Sequence, residues 1–271
     1  MGKKPPPYFV LNAFGANDEP VLLAGGQGIA HRSGNIVFKP TRNEEESVWI
    51  AETLIGLDCV NFRIAEPIRA NNGQWVSHGW TASKYIEGHH DFTRWRDIIR
   101  TSAFFHAALK NVPRPIFLDE NDDPWAVADR IAWHELPLPL DHPLIGAPLQ
   151  KLDNLCVDVN LTSQIIHGDI AGNILFHDNR APAIIDFCPY WRPAGFAASI
   201  AIADALVWHD ADESLISLGN DIPMFDQLLM RAFIRRICEL IEIKRQCHED
   251  RTADIIKYLP VIDRFVNRVR S

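Results

Sequence analysis

The chain has no apolar run long enough to cross a membrane, no C-x-x-C pair, no excess of basic residues and no internal repeat or low-complexity tract. Each absence removes a class of protein. The longest apolar stretch, residues 196–208, is too short for a membrane span and contains Asp204. Five cysteines, at 59, 156, 188, 238 and 247, form neither a disulfide framework nor a zinc-ligand spacing, as expected of reduced thiols in a cytoplasmic protein. A formal net charge of -8 argues against a general nucleic-acid binder, which would normally show a basic stripe. The start, residues 1–7, has basic residues with no apolar core behind them, so it reads as neither signal peptide nor anchor. No G-x-x-x-x-G-K-[ST] motif is present, which excludes a P-loop.

What is present suffices for a substantial core: 271 residues, 47% of them apolar. Val21-Leu22-Leu23, the glycine-rich Gly25-Gly26-Gln27-Gly28 and Asn35 to Lys39 read as two strands joined across a glycine turn. A helix follows, capped by Thr41 or Asn43, with Trp49, Ile50 and Leu54 on its apolar face. Further strands are expected at 62–68 and 79–86, separated by the turn Asn71-Asn72-Gly73. Beyond Gly88 the period becomes helical, first from Trp95 to Leu109 with Asp91 or Thr93 as cap, then from Trp125 to Glu135, and later from Phe225 to Leu240. The expectation is an α+β fold, with a small antiparallel-sheet lobe over 1–86 and a mainly helical lobe over 87–271.

The chemistry concentrates in His167-Gly168-Asp169-Ile170-Ala171-Gly172-Asn173, followed after a short hairpin by Ile184-Ile185-Asp186-Phe187. The apolar Ile165-Ile166 predicts a buried strand that delivers Asp169 to a loop, with His167 bracing that loop. Antiparallel pairing of 174–176 with 184–185 places Asn173 and Asp186 at one end of the hairpin. Hard oxygen ligands converging there suit Mg2+, with phosphates and water completing the shell. Asp169 then orients a substrate hydroxyl and accepts its proton late, as phosphoryl transfer requires.

Lys39 ends an apolar strand, where an ammonium calls for an anion such as phosphate. Glu46 is the first choice of helix carboxylate to hold it, with Glu45 and Glu52 as alternatives. Gly25, Gly26 and Gly28 allow backbone amides to approach a triphosphate. Asp204 is a lone acid on an apolar helix and is expected to accept hydrogen bonds from the backbone of the loop that carries His167 and Asp169.

In these motifs, together with Lys39, Tyr85-Ile86-Glu87-Gly88 and His106-Ala107-Ala108-Leu109, the chain resembles the aminoglycoside phosphotransferase-like small-molecule kinases of the protein-kinase-like fold. The resemblance implies a two-lobed molecule with ATP or GTP in the cleft and adenine against the connection around Ser83 to Tyr85. It also implies a phosphotransferase acting on a hydroxyl of a small molecule, aminosugar-like or another metabolite. One departure stands out: three residues separate Asp169 from Asn173, where the family pattern has four. The shortened loop keeps a second reading open, a catalytically impaired pseudokinase that binds nucleotide as a regulatory module.

Overall fold

A computed structural model of the protein describes residues 4–24 and 28–270. In chain order the first elements are α1 (Tyr8–Ala13), β1 (Val21–Leu22), β2 (His31–Ser33), β3 (Ile36–Pro40), α2 (Glu44–Ile55), β4 (Arg63–Ile64), β5 (Pro67–Ile68), β6 (Val76–Ser77) and β7 (Trp80–Lys84). After them come α3 (Trp95–Leu109), α4 (Phe117–Glu120), α5 (Pro124–Ala132), α6 (Gly146–Asp153), β8 (Ser163–His167), β9 (Ile174–His177), β10 (Arg180–Ile184), β11 (Pro189–Pro193), α7 (Gly195–Trp208), α8 (Phe225–Cys247) and α9 (Thr252–Arg270).

An antiparallel sheet in the order β1-β2-β3-β7-β5, with β6 also on β7, makes the small lobe. Phe38 and Ala82 on one of its faces pack with Val10 and Leu11 of α1 and with Phe14 just after it, giving a core of its own. The larger core gathers around α7, which is apolar on all sides and buried along nearly its whole length. A helix without a polar face has to lie inside a domain. Here α3, α8 and α9 enclose it. Leu54 of α2 and Phe62 also belong to this larger core, so the helix of the small lobe leans on the helical one.

The sheet differs from the sequence expectation in two respects. Val21-Leu22 does not pair with the strand ending at Lys39; β2 lies between them, paired antiparallel with both. That strand escapes a hydrophobic-pattern reading because its inward residues are polar, His31 and Ser33, the latter donating to the Asp18 carbonyl at 2.6 Å. The stretch 62–68 also divides. β4 leaves the small sheet to pair in parallel with β10, while β5 starts at Pro67 and pairs with β7. Proline has no N–H to donate, so it suits the first position of a strand.

Helix caps follow local chemistry at two sites. Asn43 accepts from the Glu46 N–H at 3.1 Å, and Asp123 caps α5 through the Ala126 N–H at 2.8 Å. For α3 neither Asp91 nor Thr93 is the cap. Asp91 instead takes the Thr93 N–H and hydroxyl, closing a turn one residue too early. The helix α9, with Pro260 inside it, has no counterpart in the sequence reading.

Phe105 of α3 joins these layers. It is fully buried and stands edge-on to Phe62 at 5.6 Å and to Phe187 at 5.2 Å. Phe105→Ala is expected to lower unfolding free energy by about 3–5 kcal/mol, the range for large aromatic truncations in a core. Urea denaturation followed by far-UV circular dichroism checks this.

Candidate active site

The strand β8 ends at His167, which is fully buried and pairs with Pro189 of β11. Its backbone N–H donates to His106 Nε2 at 3.0 Å, so the proton of the His106 ring sits on Nδ1, 3.1 Å from Ser102 Oγ. His167 Nδ1 in turn accepts the Asp169 N–H at 3.2 Å, leaving Nε2–H to donate to the Ile185 carbonyl at 3.3 Å. Both rings are therefore neutral. Burial drives each imidazole pKa down, that of His106 to about 3. His167 thus ties the loop at Asp169 to the strand end at Asp186.

The hairpin of β9 and β10 pairs Ile174 with Ile184, and the Ile185 N–H donates to the Asn173 carbonyl at 3.0 Å. This register brings Asn173 and Asp186 to the same end. Asn173 Nδ2 donates to the Asp169 carbonyl at 2.6 Å, which leaves its Oδ1 as the acceptor atom available to a cation. Asp186 adopts a left-handed backbone with φ +53°, a region that Asp tolerates better than most residues. Its Oδ1 lies 2.6 Å from Lys39 Nζ.

Lys39 accordingly pairs with Asp186, and no ion pair joins it to Glu46, Glu45 or Glu52. Burial and the neighbouring charge of Asp123 raise the Glu46 pKa. Gly28 has φ +65°, while Gly25 and Gly26 lie outside the described residues. Ser83 sits in β7 opposite Val37, and the Tyr85 N–H donates to the Asn35 carbonyl at 2.9 Å. The Arg32 guanidinium covers the Tyr85 ring at 3.6 Å.

Asp204 departs from expectation. Its carboxylate meets a side chain and not the backbone of the 167–169 loop: Arg236 Nε donates to Asp204 Oδ1 at 2.9 Å, and Arg236 Nη2 donates to Oδ2. A guanidinium from α8 lies between Asp204 and the loop, because the buried acid Asp204, beside the half-buried Asp169, requires a cation. Arg236 Nη2 also donates to Asp169 Oδ1 at 2.7 Å, and Nη1 to Glu239 Oε2 at 2.8 Å. The preceding residue, Arg235, donates to the Gly168 carbonyl at 2.9 Å and stacks over Tyr190. These arginines were invisible as site residues in the sequence. The one signal was a cation repeated at apolar helical positions of α8.

The shared guanidinium separates the two acids. Burial raises the Asp169 pKa, but the charge and hydrogen bond of Arg236 outweigh it and hold the carboxyl below its ordinary value. For Asp204 burial wins over the same arginine, helped by the charges of Asp169 and Glu239, and lifts it to about 6. Two neighbouring carboxyls with pKa values pushed apart are a pattern of acid–base sites. Asp169 also opens onto a cavity of about 270 Å³, walled by Phe92, Trp208, His209 and Tyr258 and floored by Arg236. Among the described residues no three His, Cys, Asp or Glu side chains form a self-contained metal site.

No protein-family model matches the chain, and no curated protein matches it. Its fold does match solved structures. Spectinomycin phosphotransferase APH(9)-Ia, in complex with ADP and spectinomycin, matches with a TM-score of 0.60 at 16% identity, over 97% of this chain and 96% of that one. Amicoumacin kinase hAmiN, in complex with AMP-PNP and Ca2+, gives 0.62 at 12% identity over 96% and 93%. Choline kinase LicA from Streptococcus pneumoniae gives 0.61 at 9% identity over 92% and 93%. The protein therefore has the two-lobed protein-kinase-like fold in the form shared by aminoglycoside phosphotransferases and related small-molecule kinases.

Two predictions follow from this geometry. A Cβ at Gly168 would lie 2.2 Å from Tyr190 Cδ2 and 3.1 Å from Arg235 Nη2, so Gly168→Ala should cost about 1–3 kcal/mol by overpacking. Thermal unfolding of the variant measures it. For pH, His106 protonates near 6.5 when unfolded but near 3 when folded, so stability falls as pH drops through that window. Asp204 has the opposite sign: its contribution, present below its unfolded value near 3.8, is lost as pH rises through about 6. Asp204→Asn should steepen the loss of stability on acidification between these limits by up to about 1.4 kcal/mol per pH unit. Urea midpoints across that range read the slope.

Proposed function

We propose that the protein is a Mg-nucleotide-dependent phosphotransferase that moves the γ-phosphate of ATP or GTP to a hydroxyl of a small molecule. This reading rests on Asp169 and Asn173 of one loop, Asp186 after the following hairpin and Lys39 of β3, which the Asn173–Asp169 hydrogen bond, the bridge through His167 and the Lys39–Asp186 ion pair hold near one another. The likeness in fold to kinases solved with ADP or with AMP-PNP and Ca2+ supports it.

The acceptor hydroxyl would lie against Asp169. As its oxygen bonds to the γ-phosphorus, the bond to the nucleotide's bridging oxygen breaks and the hydroxyl proton passes to the carboxylate. An ionised, weakly basic Asp169 suits a reaction that needs orientation more than base strength. Lys39, close to the same cleft, would exchange Asp186 for phosphate oxygens. The available donors, a carboxylate and an amide oxygen, fit Mg2+, which takes one or two protein oxygens and fills its shell with water and phosphate. When bound, the ion neutralises charge on the β- and γ-phosphates.

The cavity beside Asp169, at about 270 Å³, falls just below the ~300–1,000 Å³ of pockets for drug-sized ligands. It would admit a small hydroxyl compound, or the reacting end of an aminosugar, between aromatic walls. The exposed acids Glu87, Asp210 and Asp212 do not line it.

Asp169→Asn is expected to lower kcat by about 10²–10⁴-fold while nucleotide binding persists. Asp186→Asn should abolish the Mg-dependent part of a nucleotide thermal shift, which for saturating ligand at 100 Kd amounts to about 2.7 kcal/mol. Radiolabelled transfer from ATP and GTP to a panel of hydroxyl acceptors decides between enzyme and pseudokinase. The shortened loop favours the latter if binding occurs without transfer, and no nucleotide effect at all would sink both.

A further inference from the structure

The shortened loop poses a geometric problem at Asp169. Ile170, Ala171 and Gly172 are the only residues between it and Asn173, and none has a side chain able to hydrogen-bond to a carboxylate. The Asp169 side chain is about half exposed, at 49%, so the loop alone leaves it free to change rotamer. Asn173 does little to restrain it: its short bond goes to the Asp169 backbone carbonyl, and its approach to Oδ2 is 3.4 Å.

The restraint comes from another element. Arg236 Nη2 holds Oδ1 at 2.7 Å, leaving Oδ2 as the oxygen open to an acceptor. Arg236 is itself only 11% exposed and is fixed by Asp204 of α7 and by Glu239 one turn along α8. Asp204 by itself matches its charge, and Glu239, which also pairs with Arg235, adds to it, so the third contact, to Asp169, is not needed to neutralise the guanidinium. Arg235 meanwhile fixes the peptide carbonyl just before Asp169.

We propose that Arg236 is a positioning residue for phosphoryl transfer, pinning Oδ1 of Asp169 so that Oδ2 faces the acceptor hydroxyl, a task its shortened loop cannot perform. The inference rests on the phosphotransfer reading and deepens it. Misplacing a reacting group by about 1 Å can cost on the order of 10²-fold in rate.

The test uses the full chain and follows hydrolysis of Mg-ATP and Mg-GTP, with water as the acceptor. Arg236→Gln should lower kcat by about 10–10²-fold with nucleotide KM within about twofold, and Arg236→Lys, which keeps a charged donor, should recover part of kcat. Because Arg236→Gln strands Asp204, it can also lose stability. Arg236→Gln combined with Asp204→Asn removes the stranded charge, and its unfolding midpoint should return toward wild type while kcat stays low. Recovery of kcat together with the midpoint, or wild-type kcat in Arg236→Gln, would reduce Arg236 to a structural ion pair and overturn the proposal. A wild-type protein that transfers phosphate from neither nucleotide, to water or to the panel of hydroxyl acceptors, overturns the phosphotransfer reading itself, and the positioning role with it.

Discussion

A single guanidinium, that of Arg236, connects three segments far apart in sequence: the loop at Asp169, the buried helix α7 at Asp204 and the helix α8 at Glu239. The arrangement is costly to build. Charges withdrawn from water are stabilised only when geometry and additional hydrogen bonds are good, and breaking one partner of such a cluster costs several kcal/mol. Here three of the four guanidinium and carboxylate groups are almost fully enclosed, and only Asp169 reaches solvent. The cluster therefore anchors the loop at Asp169 to the buried helices of the large lobe.

A second constraint acts on the same loop through its backbone. The neutral imidazoles of His106 and His167 pass a chain of hydrogen bonds from Ser102 on α3 to the Asp169 N–H and the Ile185 carbonyl. Burial keeps both rings uncharged, which is what allows each to accept one bond and donate another. The backbone around Asp169 is thus fixed by histidines, and its carboxylate by an arginine. Between them, the loop needs few side chains of its own, which is how a chain with only isoleucine, alanine and glycine after Asp169 can keep its shape there.

Much of this was readable from local sequence. The buried strand before His167, the hairpin that aligns Asn173 with Asp186, and the amphipathic run of α8 all follow from short-range apolar periodicity and turn residues. Other features had no such signal. The polar strand β2 shows no alternation, the partner of Lys39 lies 147 residues away, and α9 carries an internal proline that argues against a helix. Arg236 was visible only as one more position on the packed face of α8.

By itself, then, the sequence determined which residue types would meet at the cleft and that they would do so on loops bounded by apolar strands, because strand burial and hairpin pairing are set within a few residues. The tertiary structure alone decided how their charges are shared: Lys39 with Asp186 and not Glu46, Asp204 with Arg236 and not the loop backbone. Those choices depend on burial and on the distances between elements brought together only when the cores close. Electrostatic energy in a partly desolvated site changes steeply with both, and neither is written into local spacing.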